Sequence, residues 1–125
     1  MDDRKRYKVG MKVRRAVLGD AHVDHAKVTE NEFNAPFQDF ITRYAWGDLW
    51  ARPGLTRQQR SMVTLALLAG LGRHEEVAMH VRAALRNGLT PAEISEVLLH
   101  VAVYAGVPAA NRAFVIADNT IKESS

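Results

Sequence analysis

No cysteine occurs among the 125 residues. Disulfides, thiolate zinc sites, iron–sulfur clusters and any thiol nucleophile are thereby excluded, and the chain suits a reducing compartment. Long hydrophobic runs are also missing. The longest, Met62 to Gly72, is interrupted by Thr64 and is too short to span a bilayer. The opening Met-Asp-Asp-Arg-Lys-Arg-Tyr-Lys has no apolar core of the kind a secretion signal needs, so a soluble cytoplasmic protein that binds no membrane is expected. Strand-like alternation, hairpin signals, internal repeats and low-complexity stretches are all lacking, which leaves an all-α architecture. There is no phosphate-binding loop and no convincing carboxylate cluster, so neither a nucleotide nor a metal is expected as cofactor.

What is present fits one domain over 1–125: hydrophobic residues make up 47% of the chain, enough for a core. The formal charge of +3 is unevenly placed. Seven basic residues (Arg4, Lys5, Arg6, Lys8, Lys12, Arg14, Arg15) stand against Asp2 and Asp3 in the first fifteen positions, and the remainder is net negative. Residues 1–9 read as a basic arm. Nothing downstream supplies a basic recognition helix or interleaved aromatics, so nucleic acid is not an expected partner.

In chain order, Val13, Ala16 and Val17 at helical spacing predict a short helix from about Gly10 to Leu18, stopped by Gly19. His22, Asp24 and His25 follow in what reads as a polar connection. They are capable of metal ligation but lack a second cluster, and His22 is kept as a residue facing a pocket. Phe33, Phe37, Phe40 and Tyr44 share one helical face, with Phe37 and Phe40 expected in the core and Pro36 opening the helix. Trp46 to Leu55 joins two tryptophans to an Arg-Pro-Gly turn between Gly47 and Gly54. Read as a loop, it offers Trp46 and Trp50 as an apolar wall and Arg52 as a carboxylate fork, or else two tryptophans that plug the core edge.

Thr56 and Gln59 form a capping-box signature for a helix to about Gly70, apolar nearly all round and therefore expected to be central. Arg60 near its start is a candidate anion anchor or a residue that caps or pairs at the surface. The next helix, Arg73 to Asn87 with Gly88 as its stop, gathers Val77, Val81, Ala84 and Leu85 on one face. His80 lies at the edge of that face, with Glu76 one turn before it. Such a pair is either an ordinary boundary contact or an imidazole whose protonation a carboxylate tunes. Thr90-Pro91-Ala92-Glu93 opens a third helix, along which Glu96, His100 and Tyr104 repeat at i, i+4, i+8. His100 reads as a satisfied core histidine or as a substrate contact. A last helix, narrow through Ala109, Ala110, Ala113 and Ala117, runs to about Ile121, giving a bundle of about six helices.

Taken together, Arg14-Arg15-Ala16-Val17-Leu18-Gly19, the Trp46–Leu55 segment, Arg60, Glu76-x-x-x-His80, Asn87 to Ile94, and His100 through Tyr104 to Pro108 resemble the 4-carboxymuconolactone decarboxylase family, within the alkylhydroperoxidase D-like fold. Redox members of that wider group carry Cys-x-x-Cys-x-x-x-His. Here Arg73 and Glu76 stand at the cysteine positions, while His80 matches the histidine. The resemblance implies a cofactor-free decarboxylation of a dicarboxylate lactone, 4-carboxymuconolactone, to 3-oxoadipate enol-lactone in the β-ketoadipate pathway. It also implies a homo-oligomer, a hexamer by the family pattern. His80 and Glu76 would then handle the proton, with Arg60, Arg52, Trp46, Trp50, His100, Tyr104 and His22 around the substrate. A catalytically silent helical module of the same fold, or action on a related lactone, are the alternatives.

Overall fold

The structure is a computed structural model that describes residues 2–125. It is all-α, as the sequence predicts, with seven α-helices and one π-helical segment among the described residues. No helix there is long and apolar enough to cross a membrane. The chain divides into two compact units, one ending at Leu55 and one from Thr56 to Ser125.

In the first unit, helix α1 spans Asp3–Leu18. The expected arm at 1–9 is therefore mostly the first half of a helix. The reason lies in two acidic residues: Asp2 caps the helix by accepting from Lys5 N at 2.8 Å, and Asp3 pairs with Arg6 at 2.8 Å and with Arg43 at 3.1 Å. Helix α2, Asp20–Val28, replaces the polar connection predicted around His22. Gly19, at φ 90°, makes the turn between them, and Arg15 reaches over it to Asp20 at 3.0 Å and Asp24 at 2.9 Å. Those hydrogen bonds, to Asp20 first, raise the Arg15 pKa.

Helix α3, Ala35–Ile41, has Pro36 in its first turn and continues into the π-helical segment Thr42–Leu49, ended by a Trp50 N to Ala45 O bond of 2.9 Å. The first four residues of the tryptophan stretch, Trp46 to Leu49, are thus helical rather than a loop, while 50–55 form the turns expected around Pro53 and Gly54. The widened backbone packs against α1 at two glycines. A β-carbon at Gly10 would overlap the Thr42 carbonyl oxygen, and one at Gly47 the Arg6 carbonyl oxygen. Val13, Val17, Leu18, Val23, Trp46 and Trp50 are buried. Phe37 and Phe40, expected inside, are more than half exposed, and Phe33 is 94% exposed. The i, i+4, i+7 stripe is real, but the buried contact of this segment runs through Thr42, Trp46 and Gly47, which occupy a different face.

In the second unit, both capping boxes form as read from sequence. Thr56 and Gln59 open α4, Arg57–Gly70, and Thr90 and Glu93 open α6, Pro91–Tyr104. Between them lies α5, His74–Arg86, and last comes α7, Val107–Ser124. The core joins Leu65 and Ala69 of α4, Val77, Val81 and Ala84 of α5, Ile94, Leu98 and Val101 of α6, and the alanine face of α7 at 110, 113 and 117. Each large aliphatic side chain buried there contributes roughly 1.5–3 kcal/mol. The expectation that α4 is central needs correction, since Val63 and Leu67 are exposed on its far side. It is α5 that is enclosed, with Val77, Val81, Ala83 and Ala84 fully buried.

Candidate active site

His80 sits on the second turn of α5 and is only 8% exposed, among valines and alanines that hold the helix in place. Glu76, one turn earlier, is exposed. The pair therefore straddles the boundary of burial, with a buried imidazole and a solvated carboxylate, at the edge of the apolar face where the sequence places it. Arg60 is half-buried in the first turn of α4. Its neighbour Ser61 is fully buried and accepts a hydrogen bond of 2.9 Å from Asn87 Nδ2. That bond ties the start of α4 to the end of α5, so the backbones that carry Arg60 and His80 have a fixed relation. Gly88, at φ 98°, ends α5 where a larger residue would also meet the Gln58 amide. The Ser61–Asn87 bond was not foreseen, although both residues are legible as small polar positions at helix ends.

His100 is exposed, so the satisfied core histidine read from the sequence is not what the fold makes of it. It stacks on Tyr104, with ring centroids 5.0 Å apart and planes at 22°. His100 also borders an apolar groove of about 450 Å³ between α4 and α6, lined by Met62, Val63, Ala66 and Val97 with Glu93 and Glu96 at its edge. Tyr104 is 81% exposed and borders the adjoining groove. Helix α6 turned its polar row outward because Ile94, Leu98 and Val101 took the core.

In the first unit, Trp46 and Trp50 are both buried and pack on one another with centroids 5.2 Å apart. Arg52 is exposed and pairs with Asp48 at 3.5 Å, one turn away. Such a surface pair contributes little to stability. His22 is half-buried on α2. Among the described residues, no three His, Asp or Glu side chains converge as metal ligands would.

Residues 35–119 match the carboxymuconolactone decarboxylase family. The chain belongs to that family. Among its relatives, the 4-carboxymuconolactone decarboxylase of Acinetobacter baylyi is 49% identical over 98% of this chain and 92% of its own length. A protein from Metarhizium robertsii named nitrosuccinic acid decarboxylase is 42% identical over 96% of this chain and 84% of its own. A Pseudomonas putida 4-carboxymuconolactone decarboxylase sequence is 60% identical over its whole length, which covers 38% of this chain.

Proposed function

We propose that this protein decarboxylates 4-carboxymuconolactone to 3-oxoadipate enol-lactone. The observation that carries the proposal is the near end-to-end similarity to a decarboxylase of that lactone, in a chain that keeps a buried His80 and has no thiol. The substrate's own bonds supply the electron sink. The carboxylate that leaves stands on the γ-carbon of an unsaturated lactone. As its C–C bond breaks, the pair forms the β,γ double bond and the former α,β pair moves onto the lactone carbonyl as a dienolate. CO₂ departs, and one proton added at the α-carbon gives the product. The protein's tasks are to hold the other carboxylate, to stabilise the developing enolate and to deliver that proton.

His80 is assigned the proton, because imidazole changes protonation near neutrality whereas a guanidinium does not. Arg60 is assigned the anchoring of substrate carboxylate, with Glu76 supporting the charge of His80 from the solvent side. His100 and Tyr104 border the groove described above and are the next groups to test as substrate contacts, and Arg52, Trp46, Trp50 and His22 are kept as candidate substrate contacts from the first unit. No metal or organic cofactor is required by this chemistry. The relative named for nitrosuccinic acid favours a second reading, in which a different small dicarboxylate is the substrate. Loss of the carboxylate beside a nitro group also leaves an anion delocalised onto oxygen, with a second carboxylate left to grip. Purified protein incubated separately with each compound decides between them. Release of CO₂ from the lactone and not from nitrosuccinic acid is the expected result; the reverse would transfer the assignment.

Val63 and Leu67 of α4, Leu71 at its end, Leu99, Val103 and Tyr104 of α6, and Phe33, Phe37 and Phe40 leave large apolar side chains in water, the kind of surface that a partner copy covers. They support a homo-oligomer, with the hexamer implied by the family resemblance as the specific proposal.

A further inference from the structure

Arg14 is the least expected buried residue of the chain. It is 5% exposed, on the inner side of α1, and its guanidinium meets only neutral acceptors: Nη1 donates to Thr42 Oγ1 at 3.1 Å and Nη2 to Gln38 Oε1 at 2.9 Å. Its Nε is buried with no hydrogen-bond partner, and no carboxylate comes within ion-pair distance of it among the described residues. A buried cation ordinarily has a counter-charge, because removing it from water is costly. Here the group borders a cavity of about 350 Å³, enclosed by α1, α2, α3 and the start of the π-helical segment, to which Tyr7, Lys27, Glu30 and Asp39 also contribute. Burial lowers the Arg14 pKa, while Tyr7 and Glu30 act in the opposite sense.

We infer that this cavity is a binding site for a small carboxylate anion, with Arg14 as its charged floor. The size falls within the range of small-ligand pockets. Charge selects the class. Asp39 is already held by Arg43 at 2.9 Å, so Arg14 and Lys27 face Glu30 alone, an excess of one positive charge. A monocarboxylate matches that excess and the guanidinium's planar donors, whereas a dianion, phosphate or dicarboxylate, would bring one charge too many beside Glu30. The site lies wholly within the first unit and does not depend on the assignment of His80.

Isothermal titration of the full-length protein with sodium succinate, sodium acetate and inorganic phosphate tests it. Saturable binding of acetate, with the dianions succinate and phosphate weaker, is expected. Arg14→Met should weaken carboxylate binding at least about tenfold, as loss of a charge-assisted contact does, while Arg15→Gln, on the outer side of α1, should leave it unchanged. Glu30 is exposed, so Glu30→Gln carries little risk to folding and should tighten acetate by up to about fivefold, the range for a partly exposed charge pair. If Arg14→Met fails to fold, the Glu30→Gln arm still decides. Absence of saturable carboxylate binding to the parent, or equal affinity in Glu30→Gln, would overturn the proposal and leave Arg14 as a structural link from α1 to Thr42 and Gln38.

Discussion

At the residue scale, the proposed division of labour between His80 and Arg60 predicts distinct kinetic signatures. His80→Asn should keep the fold and lower kcat by about 10²–10⁴-fold, the range for a positioned acid or base. Arg60→Gln should raise KM at least as much as it lowers kcat, because an anchor acts before the transition state as well as in it. Steady-state kinetics on both variants separates them; an Arg60 variant that loses kcat alone would make the guanidinium part of the chemistry. His80 was legible because its position at the edge of the α5 stripe follows from helical periodicity alone. The Glu76 partnership was only half legible, since spacing places two residues one turn apart without saying that the boundary of burial runs between them. Arg14 was not legible as a buried group at all. A cluster of seven basic residues reads as solvated, and only the packing of α1 on the Thr42–Leu49 segment turns one of them inward.

Helices and their ends were the most readable part of the fold. Capping chemistry is local, and both boxes at Thr56 and Thr90 form with side-chain acceptance from the residue three ahead, each at 3.1 Å. Thr56→Ala and Thr90→Ala should each cost about 1 kcal/mol in denaturant unfolding, and a loss below a few tenths at both would show the caps to be dispensable. The start of α1 was misjudged because Asp2 and Asp3 were weighed as charge and not as a cap and first-turn anion. The Trp46–Leu49 stretch was misjudged because glycine was taken as a breaker, whereas Gly47 serves a close approach. Gly10→Ala is the sharper test of that contact. A methyl group placed against the Thr42 carbonyl should destabilise the protein by at least about 1–3 kcal/mol, the range for overpacking. A variant as stable as the parent would mean that α1 and the π-helical segment are not held so closely.

For the whole molecule, composition foretold an all-α chain, but not which apolar residues would be covered. Periodicity locates a stripe; it does not say whether the stripe meets the same chain or another copy. Phe37 and Phe40 and the outer row of α4 were therefore assigned to a core that this chain alone does not provide. Analytical ultracentrifugation at micromolar concentration should show an assembly several times the 13.9 kDa chain mass, and a single species at that mass would refute the homo-oligomer. Exhaustive chelation should leave turnover intact, since the lactone carries its own electron sink; a loss restored by one specific metal ion would reopen the role of the histidines as ligands. The central claim is that this chain releases CO₂ from 4-carboxymuconolactone through a proton delivered by His80. Its most direct measurement is the rate of CO₂ release by purified parent and His80→Asn proteins, both shown to be folded by circular dichroism and equally assembled. The account predicts one CO₂ per lactone consumed by the parent and a rate at least about a hundredfold lower in the variant. Equal rates in the two proteins, or no CO₂ from the parent, would contradict it.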